Sequence, residues 1–408
     1  MRGFFAGSVL RNSKAPVSRF PKCGACGLYK TCNSPKMPPS GKGHKRILLL
    51  GEAPGANEDE EGIQFVGKAG QLLEDTLRDV GVDMRRDCWI TNSLICRPPG
   101  NKIKDKRAIE YCRPNLTKTL EDLKPEVVVL LGGSAVRSMI GDIWKSNPGA
   151  LNRWTGMRIP ARKPNAWLCP TYHPSFLLRS HDQFLISRFA DHLDAACKLE
   201  GRPWEENELQ LPEIEVVLDP TKAASILRQM RARGGPIAFD YESNCLKPET
   251  PRGRIVCASA CWRGRKTIAY PWVGEAVDAS RELLHADNCY FIASNMKFEE
   301  RWTQHEFGKG VRNWLWDTML SAHVIDNRQG ICGLKFQAFA LLGIETYNDH
   351  IEPFLKTKRG TQINRIHEID INHLLKYCAM DTLAEYLVFE KQVHALGMEP
   401  QWWEDEAA

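Results

Sequence analysis

The sequence contains no apolar run that approaches the roughly 20 residues a membrane-spanning helix needs. It also contains no internal repeat and no low-complexity tract, so ordinary globular domains are expected. A hydrophobic content of 43% with 26% charged residues is typical of such domains. We therefore predict a soluble protein that acts without a membrane.

Acidic residues are missing from residues 1–46, although this segment carries ten Lys and Arg and the whole chain has a formal charge of only +5. The positive charge is thus concentrated at one end. Such an end is typical of an organellar transit peptide, a disordered tail or an arm that contacts phosphates. We expect a basic tail over residues 1–20, with these three interpretations open.

A secretory leader is not recognisable, so the fourteen cysteines are not expected to form a disulfide framework. We expect a cytoplasmic protein, either nucleoid-associated or viral and acting in the host cytoplasm. Three cysteines fall within PKCGACGLYKTC, residues 21–32. The spacing Cys23-x2-Cys26 fits a disulfide, a zinc site or an iron–sulfur cluster, and by itself does not decide between them.

The length of 408 residues suits two domains. KRILLLGEAPG and PEVVVLLGGSAVRSMIG each indicate a buried strand that leads into a glycine-rich turn, the second with a helix beginning at Ser134. We therefore predict a doubly wound, parallel-sheet α/β domain over residues 21–200, with ligands beyond the carboxyl ends of its strands. The pattern-free residues 201–213 predict a linker, and residues 214–408 a second α/β domain.

Polar and aromatic residues follow the first predicted strand, in GEAPGANEDEEGIQFVGKAGQLL. Glu52 and Glu58 offer carboxylates and Phe65 offers an aromatic face, which together indicate a small polar pocket with a stacking platform. Asn92 offers an amide that can read a base edge as donor and as acceptor. His173 comes from a later segment, TYHPSFLLR.

Four segments resemble, in order, the motifs of the family-4 uracil-DNA glycosylases over about residues 20–200: GEAPG with its following Glu-Asp pair, GIQFVGKAGQLL, CRPPGN and YHPSFLLR. In such enzymes the uracil is flipped out of the duplex, stacked on an aromatic ring and hydrogen-bonded on its Watson–Crick edge. The resemblance implies that Phe65 stacks on uracil, Asn92 binds its edge, and His173 donates to O2 as negative charge builds there. The substrate-binding set it implies also includes Ala53, Asn101 and Arg179.

The residue that orients the attacking water is not fixed by this resemblance. Many glycosylases of the superfamily have an Asp in the region where Ala53 stands here. Glu52 and Glu58 are the candidate catalytic carboxylates, and we favour Glu58. A related group that bonds covalently to DNA has an Arg/His-rich insertion, whereas NKIKDKRAIEYC contains no histidine. We therefore expect hydrolysis.

The resemblance also provides partners for the first cysteines. Members of the family hold a [4Fe–4S] cluster through a C-x2-C pair and a C-x15-C pair, and Cys96 and Cys112 have the second spacing. The implied ligands are therefore Cys23, Cys26, Cys96 and Cys112, with Cys32 left over. Four thiolates suit zinc equally well, and the resemblance favours the cluster.

A second constellation begins at PIAFDYESN, where Asp240 and Glu242 lie on one face of a predicted strand. SNMKFEERW places Asn295 and Glu299 at i,i+4 on a predicted helix. KYCAMDTLAEYLV places Tyr377 and Asp381 in the same way.

This pattern resembles the DEDDy 3′–5′ exonuclease domain of family-A DNA polymerases over about residues 214–395. The resemblance implies an RNase H-like α/β fold and two Mg²⁺ or Mn²⁺ ions held by Asp240, Glu242, Glu299 and Asp381. Tyr377 would orient the attacking water. Glu299 stands where the family usually has Asp, which puts the metal geometry in question. Asp317 fits a helix N-cap better than a ligand.

Together these patterns predict a DNA repair enzyme that removes uracil and degrades 3′ ends, with DNA as its partner. One alternative is an exonuclease tethered by a glycosylase-like module that only binds uracil or DNA. Another is a nuclease that trims RNA. Only 27 residues follow Asp381, so any proofreading is expected to occur in trans with a separate polymerase.

Overall fold

The computed structural model describes residues 20–264, 266–357 and 363–398. The described residues divide into two compact units, one holding residues 20–209 together with Gly343–Glu345, and the other holding Gln210–Leu342 and the described residues from Thr346 onward. The predicted basic tail falls almost entirely outside the described residues, as do residues 399–408. Among the described residues, no helix has both the length and the apolar character needed to cross a membrane.

The N-terminal unit is built on a five-stranded sheet of order β2-β1-β3-β5-β4, parallel except for the pairing of β4 with β5. The chain begins at β1 inside the sheet, continues to β2 on one side of β1, and then crosses to β3 on the other side of β1. Because such crossovers are right-handed, the connecting helices cover opposite faces, which is the doubly wound arrangement predicted. The strands are β1 Ile47–Gly51, β2 Cys88–Asn92, β3 Val127–Leu131, β4 Ile159–Ala161 and β5 Ala166–Thr171.

Two helices of this unit, α3 (Lys68–Asp79) and α8 (Gln183–Cys197), bury apolar residues against the sheet. Leu73 and Leu77 in α3 and Phe189 and Leu193 in α8 join the strand residues in one core. The helix predicted to begin at Ser134 begins one residue earlier. The helices are α1 Cys23–Cys26, α2 Ala56–Glu61, α3 Lys68–Asp79, α4 Met84–Asp87, α5 Arg107–Leu123, α6 Gly133–Ile143, α7 Pro174–Ser180 and α8 Gln183–Cys197.

The first part of the proposed linker packs on the N-terminal unit. The Trp204 indole donates to the carbonyl of Pro160 at 2.7 Å, and the Arg162 guanidinium lies 4.0 Å from the centre of its rings. Arg202 donates to the carbonyl of Asn165 at 2.7 Å. Residues 202–204 are therefore held by specific contacts, which a search for periodic patterns does not detect.

The C-terminal unit contains a six-stranded mixed sheet of order β11-β10-β7-β8-β9-β6. Strands β7, β8 and β9 form an antiparallel series, while β10 and β11 run parallel to β7 on its other side. This is the RNase H-like arrangement predicted. The strands are β6 Ile214–Val216, β7 Gly235–Ser243, β8 Ile255–Trp262, β9 Lys266–Pro271, β10 Cys289–Ala293 and β11 Trp314–Asp317.

The last helix of this unit, α15, lies across β7, β8 and β9. The buried Ser259 hydroxyl in β8 donates to the carbonyl of Cys378 at 2.9 Å and fixes the helix on the sheet. This bond helps to place the face of α15 that carries Tyr377 and Asp381 over β7. The helices are α9 Pro220–Arg233, α10 Glu275–Leu284, α11 Lys297–Phe307, α12 Thr318–Ile325, α13 Leu334–Leu342, α14 Glu352–Leu355 and α15 Ile371–Ala395.

Candidate functional site

A cavity of about 480 Å³ lies at the carboxyl ends of β1, β2 and β5 in the N-terminal unit. Parallel strands end at one edge of a sheet, so the loops that follow them meet there. The cavity is lined by all eight non-cysteine residues predicted for the first constellation: Glu52, Ala53, Glu58, Phe65, Asn92, Asn101, His173 and Arg179.

Phe65 is held in a left-handed backbone conformation, with φ of 54°. The guanidinium of Arg85 donates to the carbonyls of Gln64 and Phe65 at 2.8 and 3.0 Å. A Cβ at Gly70 would lie 1.9 Å from the Phe65 carbonyl oxygen, so only glycine allows this approach. The ring faces His173 with the two centroids 6.0 Å apart and the planes 28° from parallel.

Asn92 ends β2 and is buried beside the last residue of β1. A Cβ at Gly51 would lie 2.3 Å from the Asn92 Oδ1 atom and 2.8 Å from the Phe65 Cζ atom. Gly51 therefore leaves the space that both side chains occupy at the floor of the cavity.

His173 caps α7 through its ring. Its Nδ1 atom accepts the backbone N–H of Ser175 at 3.2 Å, and the Ser175 hydroxyl lies 2.8 Å from the same atom. Because Nδ1 accepts, the proton of the neutral ring resides on Nε2. Burial lowers the pKa of His173 below its ordinary value, which favours this neutral form.

The two candidate carboxylates of the cavity have different partners. Glu58 accepts backbone N–H groups from Gly55, Val66 and Gly67 at 3.0–3.1 Å, and thereby closes the loop that carries Phe65. Glu52 accepts the hydroxyl of Ser134 at 2.6 Å. This contact of Ser134 with Glu52 was not predicted, because 82 residues separate the two and a serine near the start of a helix is common.

Asp59, next to Glu58, is buried and joins three segments of the chain. Its carboxylate accepts the backbone N–H groups of Asn33 and Ser34 at 3.1 and 2.9 Å. Arg97, in the loop after β2, lies 3.7 Å from the same carboxylate. The cysteine segment, α2 and the CRPPGN loop are thus tied together.

The four predicted ligand cysteines line one small cavity with apolar walls, shared by α1, the loop after β2 and α5: Cys23, Cys26, Cys96 and Cys112. The backbone N–H of Lys36 donates to the Cys96 sulfur at 3.2 Å. The Asn115 amide donates to the Cys112 sulfur at 3.5 Å. The pKa of Cys96 is raised to about 12, mainly by burial, with the neighbouring Cys32 and Cys112 thiols as lesser causes.

The second constellation assembles where α15 lies over β7. Ligand atoms of Asp240, Glu242 and Cys378 all lie within 4.8 Å of one another. Burial raises the pKa of Asp240, and the neighbouring carboxylate of Asp381 raises it further. Burial also raises the pKa values of Glu242 and Glu299 well above the ordinary range, with Asp240 as the next cause. Crowded, enclosed carboxylates of this kind favour a proton or a bound cation.

Lys335 and Tyr347 complete the surroundings of Asp381 and were not predicted. The Lys335 ammonium forms an ion pair with the Asp381 carboxylate, and the Tyr347 hydroxyl donates a hydrogen bond to the same carboxylate. The ammonium also lies 4.7 Å from the centre of the Tyr377 ring. The segment LKFQAFALLG resembles a buried helix, so its sequence gives no sign of this role.

Glu385 is a further carboxylate that the sequence analysis missed. It follows Asp381 by one helical turn on α15 and is 2% exposed. Its Oε1 atom accepts the backbone N–H of Ser294 at 3.2 Å. The i,i+4 spacing after Asp381 was a usable signal, because it continues the stripe that begins at Tyr377.

Asn295 is not on the helix predicted for it. It precedes α11, has a φ of 71°, and donates its backbone N–H to Asp317 at 3.1 Å. Asp317 also caps α12 by accepting from Met319 and Leu320, as predicted. Glu299, in the first turn of α11, keeps its place beside Asp240 because the turn before the helix is fixed by these bonds.

Comparisons with known proteins separate the two units. A family model described as the uracil DNA glycosylase superfamily matches residues 38–199, and one described as 3′-5′ exonuclease matches residues 214–394. The type-4 uracil-DNA glycosylase of Pyrobaculum aerophilum is 36% identical over 168 residues, which is 38% of this chain and 80% of the relative. That of Thermotoga maritima is 33% identical over 173 residues, 41% of this chain and 83% of the relative.

One relative aligns across both units. The protein named DNA polymerase from Bacillus phage SP01 is 24% identical over 326 residues. The aligned region is 74% of this chain and 35% of the phage protein.

Replacing Gly51 by Ala is expected to destabilise the N-terminal unit by about 1–3 kcal/mol, the usual cost of overpacking. The new methyl group would overlap the Asn92 amide and the Phe65 ring. Hydrogen exchange of peptides from β1 and β3 measures the effect. Gly133→Ala is the control, because a Cβ there meets no atom within 4 Å. Equal exchange in the two variants would contradict the packing described.

Proposed function

Because the chain belongs to the type-4 uracil-DNA glycosylase family and carries a 3′–5′ exonuclease domain, we propose that it removes uracil from DNA by hydrolysis and shortens DNA from 3′ ends. The observation that carries the first activity is the convergence of Phe65, Asn92 and a neutral His173 in one cavity. The second rests on the carboxylates gathered where α15 crosses β7.

The cavity suits an extruded uracil. Phe65 offers its face for stacking, and the Asn92 amide offers a donor and an acceptor to the O4 and N3–H groups of the base. Cytosine reverses this pattern, so a fixed amide selects against it. We assign the remaining substrate contacts to three residues that line the same cavity: Ala53, Asn101 and Arg179. The guanidinium of Arg179 suits a phosphate that flanks the uracil.

His173 is assigned to the O2 atom of the base. Its Nδ1 accepts from Ser175, so Nε2–H is the donor available to the cavity. As the glycosidic bond breaks, negative charge grows on the base, and a donor already in place stabilises it without reorganisation. The lowered pKa keeps the ring neutral at physiological pH.

Glu52 is the carboxylate that we assign to the attacking water. The sequence favoured Glu58, but Glu58 accepts three backbone N–H groups and is committed to the loop. Glu52 is oriented by a single hydroxyl, that of Ser134. We therefore give Glu58 a positioning role for Phe65.

The four thiols fit an iron–sulfur cluster. All four donors are cysteine sulfurs around one cavity with apolar walls: Cys23, Cys26, Cys96 and Cys112. The sulfurs of Cys96 and Cys112 accept N–H bonds of the kind that stabilise thiolate charge. A bound [4Fe–4S] cluster would supply crosslinks between distant segments. The cysteines would thereby hold the CRPPGN loop and the described part of the basic N-terminal segment beside the uracil cavity.

The carboxylates of the C-terminal unit fit two Mg²⁺ or Mn²⁺ ions, which prefer oxygen ligands. We assign the ligands to Asp240, Glu242, Glu299 and Asp381, with Asp240 shared. Bound ions would supply a nucleophilic hydroxide and stabilise the leaving 3′ oxygen. Burial raises the pKa of Tyr377 well above its ordinary value, so its phenol stays protonated and can orient a water.

The alignment with the phage protein named DNA polymerase supports a polymerase as a working partner. We place the protein on DNA in the cytoplasm of a cell or an infected host. In that setting, uracil removal and 3′ trimming would serve one repair sequence once another enzyme has cut the strand.

The pH dependence of uracil release tests the role of His173. Because the pKa of His173 is lowered, single-turnover rates on uracil-containing single strands should stay level as the pH falls through 6.5 and decline only below it. His173→Ala should slow release by about 10²–10³-fold, the cost of one lost donor. His173→Gln keeps a donor that does not titrate, so the acid decline should disappear.

The exposed His44 provides the control, and His44→Gln should leave both rate and profile unchanged. A decline centred at or above pH 6.5 in the unmodified protein would contradict a buried, neutral His173.

The lowered pKa of His173 also affects the stability of the fold in the same pH range. A lowered folded-state pKa means that the unfolded chain binds the proton first, so the stabilising contribution is lost as the pH falls below 6.5.

Asp240→Asn should separate the two activities. Removing a shared metal ligand should slow 3′ degradation by about 10³-fold or more, equivalent to several kcal/mol of transition-state stabilisation. Uracil release should be unchanged, because its residues lie in the other unit. The exposed Asp287→Asn is the matched control. Undiminished 3′ trimming by Asp240→Asn would remove the basis for the nuclease assignment.

Visible absorption and metal analysis of the purified protein test the cluster. We expect a broad visible band with iron and sulfide in the unmodified protein and in Cys32→Ala. Cys23→Ala and Cys112→Ala should lose the band and unfold at lower temperature. Zinc in place of iron, or a well-folded but inactive Cys23→Ala protein without the band, would count against this structural role.

A further inference from the structure

Two buried glutamates of the C-terminal unit each carry an oxygen without a partner. Glu299 is 3% exposed and Glu385 is 2% exposed. Within the part of the chain that the structure describes, the Oε2 atom of each has no hydrogen-bond partner. An enclosed carboxylate in this condition is costly unless a cation or a proton neutralises it.

A backbone N–H that follows β10 holds Glu385 near Asp240, whose carboxylate raises the pKa of Glu385 further after burial. Strand β10 runs parallel to β7 and pairs Ile292 with Ala238. Strand β10 ends at Ala293, and the N–H of the next residue, Ser294, donates to the Glu385 carboxylate at 3.2 Å. Glu385 therefore approaches Asp240 from the β10 side.

The Lys335 ammonium does not neutralise the two glutamates directly. It forms its ion pair with Asp381, whose other neighbour is the Tyr347 hydroxyl. Glu385 lies one turn further along α15, and Glu299 belongs to α11. The β10 side of Asp240 thus holds two enclosed carboxylates that need a proton or a cation of their own.

We propose that Glu385 is a fifth carboxylate ligand of the nuclease centre and binds, with Asp240 and Glu299, one of its two divalent cations. The inference rests on the proposed exonuclease function and extends its ligand set. It also accounts for the glutamate at position 299, where the exonuclease resemblance leads one to expect aspartate. Two long side chains, from α11 and α15, reach the cation from different helices, and the Ser294 N–H orients one of them.

Glu385→Gln tests the proposal with little disturbance of shape. The glutamine keeps the volume and the acceptor for Ser294 but removes the charge. Binding of Mn²⁺ to the full chain is followed by the paramagnetic resonance of the free ion, and melting is followed with and without Mn²⁺. We expect one Mn²⁺ site to weaken at least about tenfold, the lower end of what a lost partner of a metal ligand costs.

Melting provides the readout that separates a ligand from a structural residue. In EDTA, Glu385→Gln should melt at a higher temperature than the unmodified chain, because a buried amide needs neither a proton nor a counter-ion. The rise in melting temperature on adding Mn²⁺ should shrink. Glu275→Gln, which removes an exposed acid in the first turn of α10, should change neither quantity.

Three results would overturn the proposal. Unchanged Mn²⁺ affinity with a lower melting temperature in EDTA would make Glu385 a structural residue. Unchanged affinity with a higher melting temperature would mean that Glu385 and Glu299 share a proton. Equal Mn²⁺ binding by the unmodified chain and Asp240→Asn would overturn the proposed nuclease centre as well, which distinguishes failure of the function from failure of this ligand alone.

Discussion

Parallel strands that end at one edge of a sheet set the positions of both candidate sites. In the N-terminal unit, the register of β1 with β2 places Gly51 opposite Asn92, and the loop after β5 brings His173 to the same edge. In the C-terminal unit, β10 pairs with β7 as far as Ile292 opposite Ala238 and ends at Ala293, and the N–H of the next residue, Ser294, holds the Glu385 carboxylate. The chemistry of each site is therefore determined by which residues stand within a few positions of a strand end.

Sequence motifs predicted what is local or carried by a family pattern. Both family resemblances are confirmed, and so are the two α/β folds. The segment from Gly51 to Leu73 indicated a pocket because its glycines, acids and Phe65 are close in sequence. The contact of Ser134 with Glu52 spans 82 residues and could not be predicted in this way.

The misses in the C-terminal unit have separate physical causes. Asn295 was placed on a helix by its spacing, but a backbone with positive φ, held by Asp317, starts the helix later. Lys335 and Tyr347 reach Asp381 only through tertiary packing, since neither belongs to a spaced pattern. Glu385 was visible as the next turn of a polar stripe, and its importance follows from burial, which the sequence does not report.

Asp59 gives the N-terminal unit a property that none of its neighbours has alone. One buried carboxylate holds the backbone at Asn33 and Ser34 and faces Arg97, so opening of the thiol segment is coupled to α2 and to the loop after β2. Local unfolding in this region is therefore cooperative. A change in the segment that carries Cys23 and Cys26 would therefore be transmitted to the loops around the uracil cavity, while the carboxylates of the other unit lie outside this set of contacts. A segment that supplies none of the polar groups in the cavity thereby contributes to keeping the cavity in shape.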